Sequence, residues 1–385
     1  MREWKKVKLG DLLEEYVEKN INNKYKVVAV GRYGIRSRED IYSRELSKNY
    51  TNNKVIRKDT LTIGMGSSQI DIGILSKDET FCVSPAYTTY KINNCDSKFL
   101  DYYLELLNPK LSNLFMIISA RQGKSVDKKG LLSYELDIPG RAMQKKIVNI
   151  LEKVDATIDY IQRDYLEIQK EREYLKRYFF TKLEKNNNVK KVKISEIFER
   201  ITEKNIHMES NNILTISAQF GLINQKDFFN KIVAGSKLEG YYLLKKGDFA
   251  YNKSYSNGYP VGATKRLKLY DKGIVSTLYI CFRAKNIKIH QGFFEYVFES
   301  EPYYRALEEI TQEGNRNHGL LNISIQDFFK LKIIMPQYDL QEKIYNVLSK
   351  YDKKMVLLNK KEREYRKIRE ALMQQLLTGK IEVKI

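Results

Sequence analysis

Between Ile147 and Phe179 the apolar residues recur at alternating steps of four and three: Ile147, Leu151, Val154, Ile158, Ile161, Tyr165 and Ile168, then Arg172, Leu175 and Phe179. An a/d seam sustained over more than four heptads is the pattern of a helix that packs lengthwise against another helix. The partner is in the same chain. Adding 197 to each number returns Ile344, Leu348, Tyr351, Met355, Leu358, Glu362, Tyr365, Arg369, Leu372 and Leu376. Even the polar break recurs, Arg172 matched by Arg369, and the helix ends match as Thr181 and Thr378. One long helix occurs twice, which predicts two copies of one unit.

The frame around the helices repeats too. Lys5 to Ile21 aligns without gaps with Lys190 to Ile206, more than half the positions identical, each predicting a short strand and then a short amphipathic helix. An apolar strand with a tight turn comes next, Val27 to Ile35 against Leu214 to Leu222. Then there is a lysine-rich turn with an acid, Lys58-Asp59 against Gly247-Asp248, with Lys58 standing where the second copy has its glycine. A strand and a Gly/Ser/Asn loop come after it, with Gly73 and Gly262 taken to keep register beyond the loop. A helical piece (Phe99 to Leu107; Gly292 to Leu307), a polar glycine loop, and a strand stopped by Pro139 or Pro336 complete each copy. A repeat whose period is a whole domain means duplication rather than a solenoid.

The chain of 385 residues is long enough for two domains plus a connecting element, and 42% hydrophobic content supports packed cores. A net charge of +20 points to a polyanionic partner, nucleic acid first, with a lysine-rich proteome as the bland alternative. Cys82, Cys95 and Cys281 form no disulfide framework, and neither a signal peptide nor an apolar run of membrane-spanning length is read in the sequence. A reduced, soluble, cytoplasmic protein is expected. A helix of about 38 residues is roughly 57 Å long. Two such helices paired antiparallel would act as a ruler between two divergent tips on one DNA duplex.

The ordered arrangement resembles the specificity (S) subunits of type I restriction–modification systems. The matching features are the strand ending in Pro139 or Pro336, the following Gln144 or Gln341, the helix starts KKIVNILEKVD and EKIYNVLSKYD, and the Gly247-Asp248 turn with the polar loop after it. The acidic residue usual before that glutamine is replaced by Met143 and Leu340, with Glu342 just after the second. The resemblance implies an α+β fold: two similar mixed α/β target-recognition domains, each followed by a long helix, the helices pairing as an antiparallel coiled coil. The corresponding division is residues 1–140 and 185–337 as recognition domains, 141–184 and 338–378 as spacer helices, and 379–385 as a tail. It also implies a non-catalytic subunit that recognises a bipartite asymmetric double-stranded DNA target. The expected partners are methyltransferase (M) subunits, two of them, and restriction (R) subunits, with S-adenosylmethionine, ATP and magnesium bound by those partners and no cofactor by this chain. A generic basic coiled-coil DNA-binding or scaffolding protein stays open as the alternative.

Catalytic chemistry is not legible. Asn108-Pro109-Lys110 falls short of a methyltransferase loop, Gly123-Lys124-Ser125 lacks the first glycine of a phosphate cradle, and His207, His290 and His318 have no partners at metal spacing. No catalytic residue or metal ligand is expected. Base reading needs bidentate donors and acceptors on loops, and backbone anchoring needs Lys and Arg. The first copy offers Arg32, Tyr33, Arg36, Ser67, Ser68, Gln69, Arg121, Gln122 and Lys124; the second offers Gln219, Asn252, Lys253, Ser254, Tyr255, Asn257, Arg316 and Asn317. Arg172 and Arg369, inside the seam, read as register-fixing residues rather than DNA contacts.

Overall fold

The computed structural model describes residues 4–31, 34–38, 49–119, 123–217, 221–226, 238–254, 259, 261–285, 287–311 and 323–381. It divides into two compact units: Met1–Arg163 with Lys360–Ile385, and Asp164–Asn359.

In the first unit the strand Lys5–Lys8 pairs antiparallel with Glu135–Ile138, which ends at Pro139. One turn of 3-10 helix (Leu9–Leu12) leads to Leu13–Glu15, the edge of a four-stranded antiparallel sheet. The order continues Thr88–Ile92, Thr60–Met65, Ile70–Ile74. The expected amphipathic helix is thus a single turn. Leu9 and Leu12 are already buried by it, and Leu13 instead joins the sheet opposite Ile92. The predicted helical piece is longer than expected, Ser97–Phe115, capped where the Asp96 carboxylate accepts from the Lys98 and Phe99 N–H groups at 3.1 Å. It continues through Pro109 with Leu111 and Ser112 still buried.

The second unit repeats this order. Lys190–Lys193 pairs with Lys332–Met335, and a four-stranded sheet runs Phe198–Arg200, Ile280–Ala284, Phe249–Asn252, Ala263–Arg266. Here the predicted single helix is two, Gln291–Val297 and Glu301–Ile310. Pro302 sits in the first turn of the second, where its missing N–H costs nothing, and its ring bars a continuous helix. Phe198 lies edge-on to Phe249, Phe282 and Phe294, with centroids 5.2–5.5 Å apart, at the centre of this unit's core.

Backbone geometry corrects two alignments between the copies. Gly247 has φ +98°, and the residue in the left-handed region in the first unit is Asp59 (φ +63°), not Lys58. The hydrogen bonds agree: the Arg57 N–H donates to Thr60 Oγ1 as the Lys245 N–H donates to Asp248 Oδ2. Gly73 and Gly262 are not equivalent. Gly73 lies in a strand opposite Thr62, whereas Gly262 (φ +82°) precedes the strand Ala263–Arg266.

The helices Arg141–Lys185 and Tyr338–Leu376 pair antiparallel. In the first unit Asp155 meets Arg369 and Gln162 meets Glu362; in the second Asp164 meets Lys354 and Arg172 meets Asp352. Partner numbers fall as the first helix advances. Ile147, Leu151, Ile158, Ile161, Ile168, Ile344, Leu348 and Leu358 are buried, and Val154, Leu175, Tyr351, Met355, Tyr365 and Leu372 are half-buried. Near each helix start a fully buried glutamine joins three elements. Gln144 donates to the Pro139 carbonyl (2.7 Å) and accepts from the Asp96 N–H (2.8 Å). Gln341 does the same with Pro336 (2.8 Å) and His290 (2.9 Å).

Candidate nucleic-acid interface

In the first unit Met65 and Ile70 face each other across the central hairpin, so Gly66 to Gln69 form its tip. Ser67 and Ser68 are exposed and Gln69 is half-buried. The turn is tight. A Cβ on Gly66 would come within 2.1 Å of the Gln69 carbonyl oxygen, and one on Gly64 within 2.0 Å of the Tyr87 ring. The helix Ser97–Phe115 braces the residue after the tip. Ser112 Oγ accepts from the Ile70 N–H (2.8 Å), Asn108 Nδ2 donates to the Ile70 carbonyl (3.0 Å), and Ser112 Oγ donates to Asn108 Oδ1 (2.9 Å). On the other side of the tip the Lys124 ammonium donates to the Ser67 carbonyl. Asp71, beside Gly66, has its carboxyl raised by burial, against the lowering effect of the Tyr87 hydroxyl. Arg36 is exposed on the strand Gly34–Ser37, opposite Ala29.

In the second unit Asn252 faces Ala263 at the matching end of the hairpin, and Asn252, Lys253 and Ser254 are half-buried. The Ser254 N–H donates to Asn252 Oδ1 (3.1 Å). Lys253 does not simply point outward: its ammonium donates to the Ile323 carbonyl (3.0 Å), and burial lowers its pKa. Arg32, Tyr33, Arg121, Gln122, Gln219, Tyr255, Asn257, Arg316 and Asn317 lie outside the described residues.

The two seam arginines build matching clamps. Arg369 donates through Nε to Asp155 (2.6 Å) and in a fork to Glu105 (2.7 and 2.8 Å), with its guanidinium 5.6 Å from the Tyr102 ring centroid. Tyr102 donates to the second oxygen of Asp155 (2.6 Å). Arg172 donates through Nε to Asp352 (2.7 Å) and reaches Glu299 at 3.4 Å, 5.5 Å from the Tyr296 ring, while Tyr296 donates to Asp352. Each clamp ties the domain helix to both long helices within one unit. Burial works against the Glu299 carboxylate, yet Lys265, Arg172 and Lys176 outweigh it and hold the group at about 2. Sequence reasoning found the arginines but missed their partners. The signal was present: Tyr102 and Glu105 precede Tyr296 and Glu299 by a common 194.

Among the described residues no His, Cys, Asp and Glu group could hold a metal ion, and no helix is long and apolar enough to cross a membrane. His290 caps the helix Gln291–Val297, its Nδ1 accepting from the Phe293 N–H (3.1 Å). Cys82, Cys95 and Cys281 are free and buried.

Residues 1–170 match the family model described as Type I restriction modification DNA specificity domain. The Type I restriction enzyme MjaVIII specificity subunit of Methanocaldococcus jannaschii is 26% identical over 424 residues, covering 99% of this chain and 94% of the relative. Among solved structures, the S subunit of the type I restriction-modification system from M. genitalium superposes with a TM-score of 0.58 at 16% identity, over 97% of this chain and 96% of the other. A chain from a structure addressing complex assembly and conformational transition of the type I R-M system gives a TM-score of 0.53 at 15% identity, covering 97% of each chain. At these identities the structural likenesses speak for the fold alone.

Proposed function

We propose that the chain, a type I restriction–modification specificity subunit by family model, curated relative and fold together, is the non-catalytic DNA-reading subunit of such a complex. Each unit would read one half of a bipartite, asymmetric double-stranded target. The paired helices would serve as the spacer and dock methyltransferase subunits, two of them, with restriction subunits completing the cytoplasmic complex. S-adenosylmethionine, ATP and magnesium would belong to those partners. One observation carries the reading. Both units keep the same glutamine joint and arginine clamp, while the residues that leave the central strand differ in sequence, Gly66-Ser67-Ser68-Gln69 against Lys253-Ser254. A constant frame with divergent tips suits two readers of different half-sites. Tyr160 and Leu357, at equivalent positions on the two long helices, are 63% and 59% exposed and offer apolar surface for docking.

The test is to co-express the chain with the methyltransferase encoded beside it and to map methylated adenines across the host genome by single-molecule sequencing. A split asymmetric motif of fixed spacing, changed when Ser67 to Gln69 are replaced, supports the reading. Duplex binding that depends on salt but not on sequence would replace it with the generic basic scaffold.

A further inference from the structure

Asp71 is the second residue after the hairpin tip Gly66 to Gln69, and it stands opposite Gly64 on the strand Thr60–Met65. Bare backbone surrounds its carboxylate. A Cβ on Gly66 would lie 2.5 Å from Asp71 Oδ1. One on Gly31, at the end of the hairpin that pairs Val28–Gly31 with Gly34–Ser37, would lie 3.9 Å from the same atom. Among the described residues one side-chain donor reaches the carboxylate, the Tyr87 hydroxyl, and no lysine or arginine pairs with it. That hydroxyl also approaches the Val30 carbonyl at 3.3 Å and has a single proton for the two acceptors. A carboxylate offers about four acceptor sites, so most of this one's capacity is unmet. The side chain is half-buried and burial raises its pKa, so a further donor to the ionised form is favourable.

The second unit carries no acid at this place. Leu61 faces Ile74 and Tyr90 as Phe249 faces Arg266 and Phe282, which makes Ala263 the counterpart of Asp71. The glutamine joint and the arginine clamp recur in both units, whereas Asp71 belongs with what differs between them. Toward DNA, an acid is repelled by the phosphates, and only a base edge donates to it. In the major groove the donors are the exocyclic amino groups of cytosine and adenine, and the adenine group stands beside N7, an acceptor that repels a carboxylate. We propose that Asp71 is a specificity-determining residue of the first unit, its carboxylate accepting from the N4 amino group of a cytosine in the half-site that this unit reads. The inference rests on the DNA-reading function proposed above.

The experiment compares wild type, D71N and D71A, each as the complex with the methyltransferase. Methylated motifs are mapped across the host genome. Binding is measured at about 50 and 200 mM salt on a duplex carrying the motif and on duplexes with each base pair of either half-site changed. Expected for wild type is a preference of about tenfold for a C·G pair at one position, in the half-site that changes when Ser67 to Gln69 are replaced. D71A abolishes the preference at that position alone. D71N adds an amino donor beside the acceptor and moves the preference toward adenine, which asparagine reads through N6 and N7. Discrimination kept at every other position, the second half-site included, shows that the variants are folded. Binding that is weaker or tighter by the same factor on all duplexes, with the motif unchanged, would overturn the proposal and leave Asp71 as a hairpin brace or a charge that repels phosphates. Loss of discrimination across the whole half-site, or no change at all, would overturn it as well. If wild type itself shows no split motif, the DNA-reading premise fails first, and the role of Asp71 with it.

Discussion

Removing the clamp cation at Arg369 carries a cost that the geometry bounds. In Arg369→Leu the volume is partly kept, but Asp155 and Glu105 lose their cation. A buried pair broken from one side costs about 3–5 kcal/mol, and an exposed pair at most about 1 kcal/mol. Asp155 is 32% exposed and Glu105 46%, so neither limit applies. Assigning about 2 kcal/mol to Asp155 and about 0.5 kcal/mol each to Glu105 and the Tyr102 ring gives about 3 kcal/mol in total. The chain's single tryptophan, Trp4, packs on the first unit's core, so its fluorescence during urea unfolding reports the unit concerned. The expected result is a transition moved to lower urea by about 3 kcal/mol, with a coupling of about 1.5 kcal/mol between Arg369→Leu and Asp155→Asn in a double-mutant cycle. Arg172→Leu, in the other unit, should move the Trp4 transition less. A loss below about 0.5 kcal/mol, or additive single changes, would show that the clamp is an ordinary surface pair and refute the argument.

Asp101, on the same domain helix, has its carboxyl pushed up to about 7 by burial, with Glu105 raising it further and Arg369 drawing it down. A carboxyl raised in the folded state is destabilising once ionised, so stability falls as pH climbs from about 4 to about 7. Asp101→Asn should therefore stabilise the chain at pH 8 by roughly 2–4 kcal/mol and leave it unchanged near pH 4, as read from urea unfolding at the two pH values. In Asn108→Leu the Ile70 carbonyl loses its side-chain donor in a buried setting. A cost of about 1–3 kcal/mol and weakened recognition of one half-site only are expected, measured by unfolding and by motif mapping. Tyr160→Asp with Leu357→Asp should leave the unfolding curve of the chain alone within about 0.5 kcal/mol and abolish co-purification with the methyltransferase.

The duplication was legible because heptad periodicity and identity at a constant offset survive without any knowledge of the fold. Local conformation was legible less evenly. Leu13 looked like the continuation of an amphipathic turn, yet sheet pairing with Ile92 decides its state, and that partner lies far along the chain. The sequence aligns Lys58 with Gly247, but the left-handed position before the central strand is Asp59, whose short polar side chain meets the same demand. The seam arginines were visible as breaks in an apolar pattern. Their acids were not, since Asp155 and Asp352 lie off the seam and pair across 214 and 180 residues. The tip loops were found from Gly, Ser and Asn content, but composition cannot say whether a lysine reaches outward or closes on a carbonyl. Lys253 does the latter.

The division between what the copies share and what they vary follows from the strength of the interactions involved. The shared groups sit where loss leaves a buried or half-buried polar group unpaired: Gln144 and Gln341 between a carbonyl and an N–H, and an arginine between acids from different elements. Such groups tolerate few replacements, because an unmade buried hydrogen bond costs more than a made one contributes. The described tip side chains, Ser67, Ser68, Gln69, Lys253 and Ser254, are exposed or half-buried. A frame held by directional buried contacts leaves the side chains at the tips free to vary without disturbing the helices that carry them.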